Sequence, residues 1–355
     1  MKNKITFICI FYCTMSFIIS FIDYDFFSKN NYEYIFYILK FFNPIHFDLL
    51  HFKNELVLPN NNEGTYTSIS LNGIIFLLTL LIGTIIYHLS NQKKSRLLHF
   101  TLLFFFVSKS VSLIFSLFNI THFIKNQPGL TFYYTTTNIF WIFFAYKAIN
   151  HLNSLKTLIT VSINKNEIKE RVSAREIINQ SLSKENTRQI PYEKATIGDR
   201  FLNYILDTFF VILIFSPNIF GLARSTEYRE SIYNLGNEIG ESTVLILFLA
   251  ISRLIYYIIS EGIFHLSPAK ALTETQIHST TESKLSFATV IGRSFSRLIP
   301  FEPFSFFSKT GWHDDLSNTT VLKNKKTGNS QIYSILFILL FVLISVIYGL
   351  NKYKF

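Results

Sequence analysis

Charge is scarce in this sequence. Asp, Glu, Lys and Arg make up 16% of its 355 residues, where a soluble domain carries about a quarter. That shortage excludes an ordinary soluble enzyme domain as the first reading. Cysteine is scarcer: only Cys9 and Cys13 occur, inside the first apolar run and four residues apart on one helix face. Such a pair is poor ground for a disulfide and offers no zinc-type spacing. A Gly-rich phosphate loop, a His-Glu-x-x-His run, a Ser-centred elbow and a pair of metal-ligand helices are all missing. No catalytic chemistry, cofactor or metal is therefore expected.

What is abundant is apolar and aromatic. Hydrophobic residues reach 49% and aromatics 17%, with 39 Phe and 19 Tyr. About seven stretches approach the roughly 20 residues needed to cross a bilayer: 5–22, 72–89, 97–120, 130–149, 201–222, 243–264 and 331–350. The expected fold is all-α, a polytopic membrane protein with the lipid bilayer as its main partner. The first stretch follows Lys2 and Lys4 but is long and aromatic and lacks a small-x-small cleavage site. It reads as a retained signal anchor.

The loops orient the spans. Lys2, Lys4 and the run Lys93-Lys94-Ser95-Arg96 belong in the cytoplasm by the positive-inside rule, and the acidic loop at 23–71 outside. The basic segments 150–199 and 265–330 then also fall inside. Only the last span conflicts, because it would leave Lys352 and Lys354 outside. The net charge of +10 follows from this asymmetry and does not point to nucleic acid. The expected location is a bacterial inner membrane with a cytoplasmic N-terminus. The chain divides into a four-span region, 1–150, a polar linker at 151–191 with a short surface helix over 170–182, a membrane domain at 192–330, and a last span with tail at 331–355. No internal repeat is visible, which argues against an inverted-repeat transporter plan.

The polar residues inside apolar spans carry the functional signal, because a charge at mid-membrane is expensive and needs a partner, a wet cavity or a role. Arg200, Asn203, Tyr204 and Asp207 form one polar ridge, its ends about 10 Å apart along a helix. Arg253 lies near the middle of the next span and Glu261 near its cytoplasmic end. Arg253 is expected to reach Asp207, and Glu261 to meet Arg200. Such pairs read either as a structural clamp or as an ion or proton site. Lys109 sits mid-span and is expected to face the bundle interior, in a functional or a hydrogen-bonded structural role. Residues 285–298, with Arg293 and Arg297 at i, i+4, read as an interfacial amphipathic helix before the turn at Pro300 and Pro303. The run Trp312-His313-Asp314-Asp315 reads as a polar turn, or as a metal-binding or acid–base element.

Together these pieces resemble the RDD family of bacterial membrane proteins, named for one arginine and two aspartates. Arg200 and Asp207 match the arginine that opens its first helix and the aspartate within it. Ser267-Pro268-Ala269-Lys270 is similar to the segment after its second helix, with Ala269 where Gly is usual. Trp312 through Thr319 resembles its closing His-Asp-x-Leu-x-x-Thr element, which makes Asp314 the second aspartate. The likeness covers about 192–325 and implies transport of an unidentified ligand. With it, Arg200, Asp207 and Asp314 are the leading site residues; Asn203, Tyr204, Arg253, Glu261, Lys270, His313 and Lys109 support them. Cation/proton exchange at Asp207 is the expected activity, with small cations or protons as partners. A non-transporting scaffold or assembly factor is the rival.

Overall fold

The computed structural model describes residues 2–19, 55–59, 66–118, 135–154, 192–224, 226–280, 285–299 and 311–324, with isolated positions Glu302, Ser305, Ile332 and Leu336. The protein is mainly helical. In chain order the helices are α1 Lys2–Ile19, α2 Leu71–Leu89, α3 Arg96–Phe118, α4 over 135–154, α5 Ile197–Arg224, α6 Thr226–Ile239, α7 Glu241–Phe264, α8 Pro268–Thr273, α9 Phe287–Ser296 and α10 Trp312–Leu316. Six of them lie on the first six predicted apolar stretches. The expected surface helix at 170–182 and nearly all of the last span lie outside the described residues.

Two helices are long and apolar enough to cross a membrane, Arg96–Leu117 and Glu241–Phe264; Lys4–Ile18 and Ile75–Leu89 are shorter apolar helices. Seven crossings were expected, and two is the number that length and hydropathy support among the described residues. The apolar surface is turned outward, as lipid contact requires. Leu245, Ile246 and Ile251 of α7, Phe143 of α4 and Phe7 of α1 each expose more than half of their surface.

Aromatic contacts join the helices. Tyr12 of α1 meets Trp141 of α4 at 4.6 Å and Phe105 of α3 at 5.5 Å between ring centroids. Phe210 of α5 packs on Phe100 and Phe104 of α3, and Phe264 of α7 on Phe106. Helix α3 thus ties the N-terminal helices to the C-terminal ones. At Gly83, a Cβ would stand 2.9 Å from the backbone nitrogen of Leu98. Only a residue without a side chain lets α2 approach α3 so closely.

Five short strands were not foreseen. β1 Glu55–Pro59 and β2 Tyr66–Ser70 form a hairpin inside the predicted acidic loop. β3 Tyr192–Lys194, β4 Thr275–Ser279 and β5 Thr319–Asn324 make an antiparallel sheet in the order β3-β5-β4. Its register pairs Lys194 with Leu322 and Gln276 with Leu322. This sheet gathers three segments that are far apart in sequence at the start of α5.

Local chemistry explains where α5 begins. The Thr196 hydroxyl accepts from the Asp199 amide at 3.1 Å, and the Asp199 carboxylate accepts from the Thr196 amide at 3.2 Å. This is a reciprocal capping box. Lys323 of β5 adds an ion pair to Asp199 at 2.7 Å, which fixes the helix start to the sheet. Gly240, with φ of 89°, makes the turn between α6 and α7 that a larger residue would resist.

Candidate functional site: a buried ionic cluster

The polar ridge of α5 faces inward. Arg200, Asn203 and Asp207 are all buried, and they line one pocket with side chains from α7, α8, α9, α10 and β5. Asp207 accepts four hydrogen bonds: from the Tyr256 hydroxyl at 2.7 Å, the Tyr257 hydroxyl at 3.2 Å, the Ser267 hydroxyl at 2.8 Å and the Ala269 amide at 3.3 Å. A carboxylate has about four acceptor positions, so Asp207 is fully engaged. Ser267 also accepts from the Lys270 amide and caps α8, whose first residue is Pro268. The cap therefore aims the start of α8 at Asp207.

Glu261 forms a second centre. Arg297 grips it with two N–H donors, each at 3.0 Å, while Lys270 donates to one of the same oxygens. The Arg293 Nε lies 3.6 Å from the other oxygen. Paired forks of this kind are among the stronger charged hydrogen bonds. Arg293 then reaches onward to Asp314 and to the Thr319 hydroxyl. Asp314 in turn pairs with Arg200 at 3.0 Å. Glu261, Arg293, Asp314 and Arg200 thus form one continuous chain of charges linking α7, α9, α10 and α5.

Two expected pairs are corrected here. Arg253 does not meet Asp207, and Arg200 does not meet Glu261. The Arg253 guanidinium lies over the Tyr204 ring, 4.3 Å from its centroid, and donates to the Tyr204 hydroxyl at 3.4 Å. The reason is the rotation of α7 about its axis. It turns Tyr256 and Tyr257 toward Asp207 and leaves Arg253, about one turn away, at the rim. Arg200 is drawn instead to Asp314, because the sheet holds the start of α5 beside the strand that follows α10.

The other predicted residues fall as follows. Asn203 donates to Thr275 at 2.9 Å and accepts from Thr273 at 2.6 Å, tying α5 to the end of α8. Lys270 joins Glu261 as described. His313 is hydrogen-bonded to Glu302 through Nδ1. Burial, with the nearby guanidinium groups of Arg293 and Arg297, pushes the His313 pKa well below its ordinary 6.5. Burial also raises the Glu302 pKa above its ordinary 4.5. Lys109 is not part of the cluster; its ammonium group lies 5.6 Å from the centroid of the Phe105 ring on the same helix.

Five contributors were missed as site residues: Tyr256, Tyr257, Arg293, Arg297 and Glu302. Arg293 is fully buried, while Phe287, Phe295, Leu298 and Ile299 around it are exposed. The amphipathic helix is present, but its charged face points into the protein. Outward apolar residues over a charged interior are the arrangement that lipid favours.

A small cavity of about 30 Å³ lies within the cluster, lined by Arg200, Asp207, Arg253, Lys270, Arg293 and Asp314 among others. That is room for one or two waters or a single small ion. Among the described residues no group of three His, Cys, Asp or Glu is placed to hold a metal.

No curated protein and no solved structure shows significant similarity to the chain. Residues 194–354 do match the RDD family, a range that takes in Arg200, Asp207 and Asp314 and runs on through the predicted last span. This integral membrane protein therefore carries a C-terminal RDD-family domain over residues 194–354, within which Arg200 and Asp314 are ion-paired.

Proposed function

We propose that the RDD domain is a small-ion transport module, with the cluster around Arg200, Asp207 and Asp314 as its ion site inside a bacterial inner membrane. The observation that supports this reading is the cavity. Buried ion pairs that only lock helices gain from closing fully, since each unfilled polar position adds to the desolvation penalty. Here a water-sized space persists among charged side chains from several segments. Cation/proton exchange at Asp207 is the specific form suggested by a carboxylate within a span. It requires Asp207 to release some of its four donors as the cation arrives, so the tyrosine hydroxyls would act as the gate. No catalytic role is assigned.

The test is proton movement in everted vesicles on adding Na⁺, K⁺ or Li⁺, comparing wild type with Asp207→Asn at matched folded amounts. Ion-driven proton movement that disappears in the variant supports exchange through Asp207. Silence from well-folded wild type with each ion refutes cation/proton exchange.

The second reading is a scaffold or assembly factor, in which the charges only hold helices together. The saturation of Asp207 and the three cations on Glu261 favour it. It predicts no ion flux at all and recovery of a specific protein by crosslinking.

A further inference from the structure

The wall of the cavity carries more positive than negative charge. Arg200, Arg253, Lys270, Arg293 and Arg297 line it, against the carboxylates Asp207, Glu302 and Asp314. Glu261, behind Lys270 and Arg297, is the fourth carboxylate, so five cations face four anions. His313 brings no further positive charge at neutral pH, because burial holds it in the neutral form. The pocket is partly open on the Arg253 side, and surplus positive charge in such a largely desolvated space favours a counter-ion.

The donors are also incompletely used. Arg200 Nη2, Arg253 Nε and Arg293 Nη2 have no hydrogen-bond partner among the described residues. Arg200 and Arg293 are 95% and 100% buried, from residual exposures of 5% and 0%. Buried guanidinium N–H groups are normally satisfied, and each orphan in a native protein calls for a ligand or a water. Two acceptor oxygens on the same wall, Glu302 Oε2 and Asp314 Oδ2, also lack a hydrogen-bond partner among the described residues, although Asp314 Oδ2 is ion-paired with Arg200 at 3.0 Å.

We propose that this cavity binds a small monovalent anion of halide size, held by the unused N–H groups of Arg200, Arg253 and Arg293. The inference rests on the small-ion reading of the same cavity and replaces its cation/proton form with an anion. A cation would meet a wall with surplus positive charge and an Asp207 without a free acceptor position. An anion meets unpaired donors and completes the balance.

The experiment uses the purified full chain in detergent. Unfolding temperature is followed while sodium gluconate is replaced by sodium chloride or bromide at constant ionic strength. A saturable rise with chloride and bromide is expected. Arg293→Lys, which keeps the charge but loses the fork, and Arg253→Gln at the half-buried rim, should each weaken the apparent affinity at least tenfold. No halide dependence in folded wild type, as for a cavity that holds only water, overturns the proposal. So does an unchanged affinity in both variants. Flux separates this from the transport reading: halide binding without flux of any ion removes transport and leaves the anion site. An Asp207-dependent flux indifferent to halide removes the anion site and leaves transport.

Discussion

Replacing Glu261 with Gln tests whether the charge chain holds the RDD domain together. Glu261 is fully buried and touches three cations: Arg297 at 3.0 Å through both nitrogens, Lys270, and Arg293 at 3.6 Å. Each unit-charge contact near 4 Å is worth on the order of 4 kcal/mol at an effective dielectric of 20, before the cations' mutual repulsion and desolvation are counted. Removing one partner from a buried ionic group has a net effect of about 3–5 kcal/mol. Gln keeps the shape and one acceptor oxygen, so the lower end, about 3 kcal/mol, is expected. For a domain of this size that is a fall in unfolding temperature on the order of 10 °C. The assay is thermal unfolding of purified protein in detergent, followed by far-UV circular dichroism. Glu274→Gln is the control: its pair with Arg96 at 2.5 Å keeps some exposure, with side chains 15% and 16% accessible. Partly exposed pairs contribute about 1 kcal/mol or less. If Glu261→Gln lowers the midpoint no more than Glu274→Gln does, the cluster does not depend on Glu261 and the reasoning fails.

Four further outcomes are expected. Arg200→Gln and Asp314→Asn should couple by about 1–3 kcal/mol in a double-mutant cycle of unfolding free energies, whereas Arg253→Gln and Asp207→Asn should add independently; the reverse would restore the pairing expected from sequence. Tyr256→Phe removes a 2.7 Å donor from Asp207 and should lower stability by about 1.5–3 kcal/mol in denaturant unfolding. Gly83→Ala should loosen the α2–α3 contact and lower the unfolding temperature, because its Cβ meets backbone 2.9 Å away that cannot rotate aside. His313 is neutral when folded and protonates more readily when unfolded, so its contribution is intact above its ordinary pKa of 6.5 and is lost as pH falls below it. Glu302, raised in the fold, acts oppositely in the window just above 4.5. A pH series of unfolding temperatures should therefore decline below about 6.5 in wild type and less steeply in His313→Gln.

The helices were legible because long apolar runs leave few alternatives. The ridge Arg200–Asn203–Tyr204–Asp207 was legible because seven residues return to the same helix face. Its partners were not. Spacing gives a residue's depth along an axis but not the rotation of the neighbouring helix, so Arg253 and Asp207 looked close in depth while Tyr256 and Tyr257 occupied the contact. Arg293 and Arg297 marked a polar face correctly. Periodicity does not say whether that face meets water or a charged interior. Asp314 was reached through family likeness, and its burial beside exposed Asp315 could not be read from the run Trp312-His313-Asp314-Asp315. The sheet escaped notice because its strands are short and rich in Thr and Lys, without alternating apolar residues. Yet it is the sheet that brings 192–194, 275–279 and 319–324 together and so delivers Asp314 to Arg200.

The central claim is that the buried RDD cluster is a small-ion site. Ion flux in proteoliposomes made with purified wild type, Asp207→Asn and Glu274→Gln tests it most directly. Saturable flux of a small ion in wild type and Glu274→Gln, lost in folded Asp207→Asn, is the predicted result. Equal flux in all three, or none from folded wild type with either cations or halides, would contradict it.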